Sequence, residues 1–114
     1  MKGIKSIICL LALSFSLMFT NIAKAETTNP YETISISEDD IDLLAALVFH
    51  EARGESLDGQ KAVVEVVLNR VLDSDFKNTV YDVIYEKRQF STASKLKGTT
   101  PNEENYEAVR YVVE

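Results

Sequence analysis

The chain has 114 residues, with 12 Lys and Arg against 18 Asp and Glu, a formal charge of −6, and 46% hydrophobic residues. This length supports one small domain with a modest core, and the acidic balance argues against nucleic acid as a partner. One histidine and one cysteine exclude a disulfide framework and leave a catalytic zinc site without its usual ligands, so neither metal nor cofactor is expected.

Residues 1–25 carry a targeting signature. Lys2 and Lys5 precede an apolar run over residues 7–19, and Ala23-Lys24-Ala25 offers small residues at a cleavage site. The run is shorter than the about 20 residues that a helix needs to cross a bilayer. It reads as a signal peptide, giving a secreted protein that starts at Glu26 and keeps no membrane anchor. Cys9 leaves with the peptide. Loss of Lys2, Lys5 and Lys24, but of no acid, leaves nine basic against 18 acidic side chains. An anionic polymer would not capture such a chain by charge, so binding one would need specific contacts in a groove.

Residues 26–36 are polar, include Pro30 and lack a helical period, and so read as an extended lead-in. Ser37 is an N-cap, with Glu38, Asp39 and Asp40 in the first turn where they suit the helix dipole. This helix runs to about Ala52. Ile41, Leu44, Leu47 and Val48 fall within about 80° of Glu51 around the helix axis, which aims Glu51 at the core or a cleft. Burial there would raise the carboxyl's pKa and suit it to protonate the oxygen of a glycosidic bond; the alternative is a salt bridge to Arg53 or Arg70. Gly54 can end the helix and Asp58 can cap the next, over residues 59–72, whose valines and leucines leave only Lys61, Glu65 and Asn69 as a polar stripe. Thr79 with Asp82 starts a third helix reaching about Tyr85. Residues 87–99 read as a loop or short strands. Thr100-Pro101-Asn102-Glu103 starts a last helix, with Thr100 as cap, that aligns Tyr106, Val109 and Val113.

His50-Glu51 opens the zinc-peptidase pattern H-E-x-x-H, but Gly54 stands where the second histidine belongs, and a lone histidine also excludes a serine or cysteine triad. Glu55 follows Glu51 by four residues, close enough on a continuous helix for the two charges to repel. It equally suits a cap or a partner for Arg70, which falls on the valine side of its helix and invites an internal ion pair.

The run E-A-R-G-E-S-L-D-G-Q-K-A-V-V-E-V-V-L-N-R-V, residues 51–71, resembles the cell wall hydrolase family of the spore cortex-lytic enzyme (SleB) type. The likeness rests on Glu51, Ala52, Gly54, Glu55, Gly59, Gln60, Ala62, Val63 and Val67-Leu68-Asn69-Arg70. It continues through Phe76, Thr79, Val80 and Val83 to Gln89-Phe90-Ser91. It covers residues 41–90 and fades beyond them.

The resemblance implies a mainly helical, lysozyme-like catalytic domain over residues 37–114, with at most a small β element after Tyr85. It implies peptidoglycan as substrate, cut on the glycan strand between N-acetylmuramic acid and N-acetylglucosamine, in cell wall or spore cortex breakdown such as germination requires. Glu51 would be the catalytic acid of a lytic transglycosylase, for which one carboxylate suffices. Hydrolysis would need a second carboxylate, and Glu55 and Asp58 are the nearby acids. Gln60, Asn69 and Gln89 offer amides either to sugar acetamido groups or to internal hydrogen bonds. Phe90 would stack on a sugar ring or pack in the core, and Ser91 and Thr92 would border the groove. Such a protein would act outside the cell or at its wall. Domains of the family continue past the last helix into a glycine-rich segment, so the chain reads as truncated at its C-terminus, with a Val109 and Val113 face left exposed. The competing function is a truncated, non-catalytic relative that binds glycan.

Overall fold

The computed structural model of the protein describes residues 28–114, so the targeting signature lies outside the described residues. Helix α1, Glu38–Glu51, starts as expected at Ser37, in a full capping box. The Ser37 hydroxyl accepts from the Asp40 amide at 3.1 Å, and the Asp40 carboxylate accepts from the Ser37 amide at 3.0 Å. Helix α2, Leu57–Leu72, begins two residues earlier than its glycine suggested: Ser56, not Asp58, is the cap, its hydroxyl accepting from the Gly59 amide at 3.3 Å. Asp58 instead lies in the first turn and pairs with Lys61 at 3.1 Å.

Helix α3, Val80–Tyr85, is capped by Thr79 as read from the sequence. The chain then loops through a 3-10 turn, Ala93–Lys95, and among the described residues no strand forms. Short i→i+3 hydrogen bonds and the buried side chain of Leu96 hold this loop in place of a sheet. Helix α4, Glu103–Val113, is capped by Asn102 rather than Thr100. Asn102 and Asn105 exchange backbone-to-side-chain bonds at 2.9 Å, leaving Pro101 just ahead of the cap.

The apolar stripes explain the packing. Leu44, Leu47 and Val48 of α1, Val64, Val67 and Leu68 of α2, and Val83 and Ile84 of α3 are fully buried. Helix α4 packs on both α1 and α2, and α3 packs on α2 and α1. Val109 is therefore fully buried and Val113 is half-buried against the core, so the Val109 and Val113 face expected to lie open is covered. Burying a side chain such as Val109 is worth about 1.5–3 kcal/mol. Polar bonds fix the register of these layers. The Tyr106 hydroxyl donates to Asp42 at 3.0 Å across α4 and α1; burial, then the Asp42 bond, pushes this phenol's pKa above its usual value.

The lead-in is turned rather than extended. The amides of Glu32 and Ile34 donate back to the carbonyls of Asn29 and Tyr31 at 3.2 and 3.0 Å. Asn29 also donates from its side chain to the Val112 carbonyl at 3.0 Å, and Tyr31, Ile34 and Ile36 pack against the core. The apolar side chains scattered through a polar segment curl it onto the bundle.

Candidate active site

Glu51 is the last residue of α1, and the buried Ala52 after it pins the helix end. The chain then reverses in a turn, with the Glu55 amide donating to the Ala52 carbonyl at 3.0 Å and Gly54 at φ 86°. Glu51 is exposed, although it continues the buried stripe of Leu44, Leu47 and Val48. The burial expected from its helical position is not realised.

Glu51 lines an open cleft of about 490 Å³ together with Val63, Val66, Arg88, Gln89, Phe90 and Ser91. Two α2 valines form an apolar wall, and the loop after α3 supplies the remaining residues. Thr92, next in that loop, donates its hydroxyl to Glu51 Oε1 at 3.1 Å, orienting the carboxylate. The loop is built locally. A turn is closed by the Gln89 amide on the Glu86 carbonyl at 3.2 Å, and the Ala93 amide follows on the Phe90 carbonyl at 3.3 Å. Phe90 does double duty, packing against the core while facing the cleft.

Beneath this loop Arg70 makes no salt bridge among the described residues, contrary to the expected ion pair. Its guanidinium lies 5.4 Å from the Phe76 ring and 5.3 Å from the Phe90 ring, a cation–π arrangement that supports the loop from behind. His50 is also a brace. Its Nε2 lies 2.8 Å from the Thr99 hydroxyl, which donates onward to the Lys95 carbonyl at 2.7 Å, so Nε2 carries the proton and donates.

Gln89, Phe90 and Ser91 thus meet Glu51, with Thr92 at their border, whereas Glu55, Gln60 and Asn69 do not. Glu55 is not on a continuous helix with Glu51, because α1 ends between them, and its side chain lies over the backbone of Gly59. Gln60 is 3% exposed and wholly engaged inside the protein. Its amide nitrogen donates to the Glu55 carbonyl at 3.1 Å and to the Glu104 carboxylate, and its oxygen accepts from Asn105 at 2.9 Å. Asn69 accepts from the Tyr31 hydroxyl at 2.9 Å, away from the cleft. Arg88 and the valine wall escaped sequence reading. Val63 and Val66 look like ordinary core residues, and nothing in the sequence announces the turn that presents Arg88. A larger groove of about 590 Å³ runs between the lead-in and α3, but its acid, Asp40, is engaged in the α1 capping box.

The class defined here is a helical domain with one carboxylate facing an open, partly apolar cleft. Residues 54–114 match the family of cell wall hydrolases, beginning three residues after Glu51, and the chain belongs to that family. It is 46% identical over 74 residues to a spore cortex-lytic enzyme of Bacillus cereus, a match covering 64% of this chain and 29% of that one. It is also similar to the catalytic domain of the Bacillus cereus SleB protein, at a TM-score of 0.65 and 40% identity, covering 76% of this chain and 69% of that domain. The catalytic domain of a germination-specific lytic transglycosylase, SleB of Bacillus anthracis, gives a TM-score of 0.64 and 42% identity, over 69% and 66% of the two chains. The chain spans less than a third of the length of the spore cortex-lytic enzymes it matches.

Proposed function

We propose that the protein cleaves the glycan strands of peptidoglycan as a lytic transglycosylase, between N-acetylmuramic acid and N-acetylglucosamine, with Glu51 as the single acid and base. The observation that carries this reading is that Glu51 is the only carboxylate lining its cleft among the described residues, held by Thr92 opposite an apolar wall. A glycan seated against Val63, Val66 and Phe90 displaces water from around Glu51, as acid catalysis by a carboxyl requires.

In the first half of the reaction Glu51 gives its proton to the bridging oxygen as the bond from muramic C1 to that oxygen breaks. The resulting carboxylate then takes the proton of the muramic C6 hydroxyl, whose oxygen bonds to C1. The product is a 1,6-anhydromuramoyl end, and Glu51 is protonated again without water being consumed. Hydrolysis would instead call for a second carboxylate about 5 Å or about 6.5–9.5 Å from the first. Glu55, over Gly59, does not line the cleft. The names of the relatives support a role in spore cortex breakdown during germination, and the N-terminal signature supports secretion to the wall.

The test is mass spectrometry of the fragments that the protein releases from purified peptidoglycan, beside the Glu51→Gln variant. Anhydromuramoyl ends are expected, with a rate reduced about 100-fold to 10,000-fold in the variant. Reducing ends would replace transglycosylation with hydrolysis, and equal release by both proteins would remove Glu51 from the chemistry.

A further inference from the structure

Three turns among the described residues share one form: a hydrogen bond from the fourth residue's amide to the first residue's carbonyl, with positive φ at the third residue. They are Ala52–Glu55, Glu86–Gln89 and Leu96–Thr99. In the first and last the third residue is glycine, Gly54 at φ 86° and Gly98 at φ 84°. In the middle turn it is Arg88, at φ 68°, the one non-glycine residue with positive φ among those described. A side chain there costs stability, because Cβ crowds the neighbouring carbonyl in the left-handed region. A strained residue persists where its side chain has a use.

The position of Arg88 points to that use. It lies on the same cleft as Glu51, it is exposed, and it forms no salt bridge among the described residues. Residues 87–99 carry Lys87, Arg88, Lys95 and Lys97 and no acid, and of these four cations Arg88 alone lines the cleft. A guanidinium is planar and presents paired N–H groups that match the two oxygens of a carboxylate.

We infer that Arg88 is a specificity residue that binds a carboxylate carried by the muramoyl unit of the strand. This rests on the glycan-strand reading above. Two sources share the chemistry. Where the muramoyl lactyl group bears a peptide, the free carboxylates belong to the peptide; where the peptide has been removed, the lactyl group itself ends in a carboxylate. N-acetylglucosamine units have neither, so Arg88 tells muramoyl-containing strands from uncharged chitin-like ones.

The experiment measures binding rather than cleavage, in the full chain carrying Glu51→Gln, with and without Arg88→Gly. Glycine suits the turn, so the double variant is expected to fold. Three fluorescently labelled probes of equal length are used: peptide-bearing muramoyl strands, strands stripped of peptide by an amidase, and a chitin oligosaccharide. Loss of Arg88 is expected to weaken binding of one or both muramoyl probes roughly fivefold to tenfold, and to leave chitin unchanged. The difference should shrink as salt screens the pair. Weakening on stripped strands assigns the lactyl carboxylate, and weakening on peptide-bearing strands alone assigns the peptide. Equal affinities with and without Arg88, an equal loss on chitin, or no binding of any probe by the Arg88 protein would each overturn the inference. Cleavage by the chain with Glu51 intact is scored separately. A chain that binds through Arg88 but cuts nothing would defeat the enzyme reading and leave this one standing.

Discussion

The two turns beside the cleft solve the same backbone problem in opposite ways. The turn Ala52–Glu55, directly after Glu51, places Gly54 at φ 86°, and a Cβ added there would meet nothing within 4 Å. The turn Glu86–Gln89, which supplies Arg88 and Gln89 to the cleft, accepts an arginine at φ 68°. The first turn is also tied to the protein interior, because the Glu55 carbonyl accepts from buried Gln60. Its residues serve the fold and hold the end of α1. The second turn carries strain in order to present a side chain. Conformational ease marks the scaffold of this cleft, and conformational cost marks the part that meets a ligand.

The largest effect on stability should come from cutting the tie beneath the glycine turn. Gln60→Ala leaves the Asn105 amide nitrogen buried without its acceptor and removes the donor to the Glu55 carbonyl. The expected loss is about 2–3 kcal/mol, read by urea denaturation. A loss below about 0.5 kcal/mol would mean that water replaces the amide and that the first turn is no better anchored than the second. Gly54→Ala comes next. The open space around Gly54 removes any steric clash, so the cost is that of the left-handed backbone, about 1–2 kcal/mol. Restricting the unfolded chain takes back about 0.4–1 kcal/mol, for a net loss of about 1 kcal/mol. An unchanged melting temperature would show that this turn does not need its glycine, and the contrast between the turns would collapse.

Much of this architecture is legible in the sequence, and its misreadings share a physical cause. Ser37 and Thr79 announce their helices because an acid follows each three residues on, Asp40 in one case and Asp82 in the other. In α2 and α4 two capping candidates lie two residues apart, Ser56 and Asp58 in one case, Thr100 and Asn102 in the other. The structure selects Ser56 through its hydroxyl's bond to the Gly59 amide and Asn102 through its reciprocal bonds with Asn105. The buried Gln60–Asn105 bond between these two helices joins residues 45 apart in sequence, beyond any local reading. The same bond explains why Gln60 looked like a sugar ligand: an amide without a visible partner invites an external one. For Glu51 the helical period gave the correct face of α1. Its exposure depends on the open cleft that α2 and the loop after α3 leave beside it, which no local pattern records. Gln89, Phe90, Ser91 and Thr92 were grouped through family resemblance, and the loop does bring them to Glu51. Arg88 within the same loop carries no such mark, since positive φ is usually announced by glycine or asparagine.

The smallest and most discriminating change is Arg88→Gly read as stability. Relief of the left-handed side chain contributes about 1–2 kcal/mol in favour of the variant. The greater freedom of glycine in the unfolded chain takes back about 0.4–1 kcal/mol. The net gain expected is about 0.5–1 kcal/mol, or a melting temperature higher by roughly 2–8 °C for a domain of this size. Gly54→Ala and Arg88→Gly should therefore move stability in opposite directions through the same backbone term. A destabilised Arg88→Gly protein would mean that the arginine supports the loop by its own packing, and the strain at φ 68° would then reflect the fold rather than the ligand. A stabilised protein that binds muramoyl strands less well would tie the strain to recognition, because the substitution that eases the turn is the one that empties the cleft of its cation.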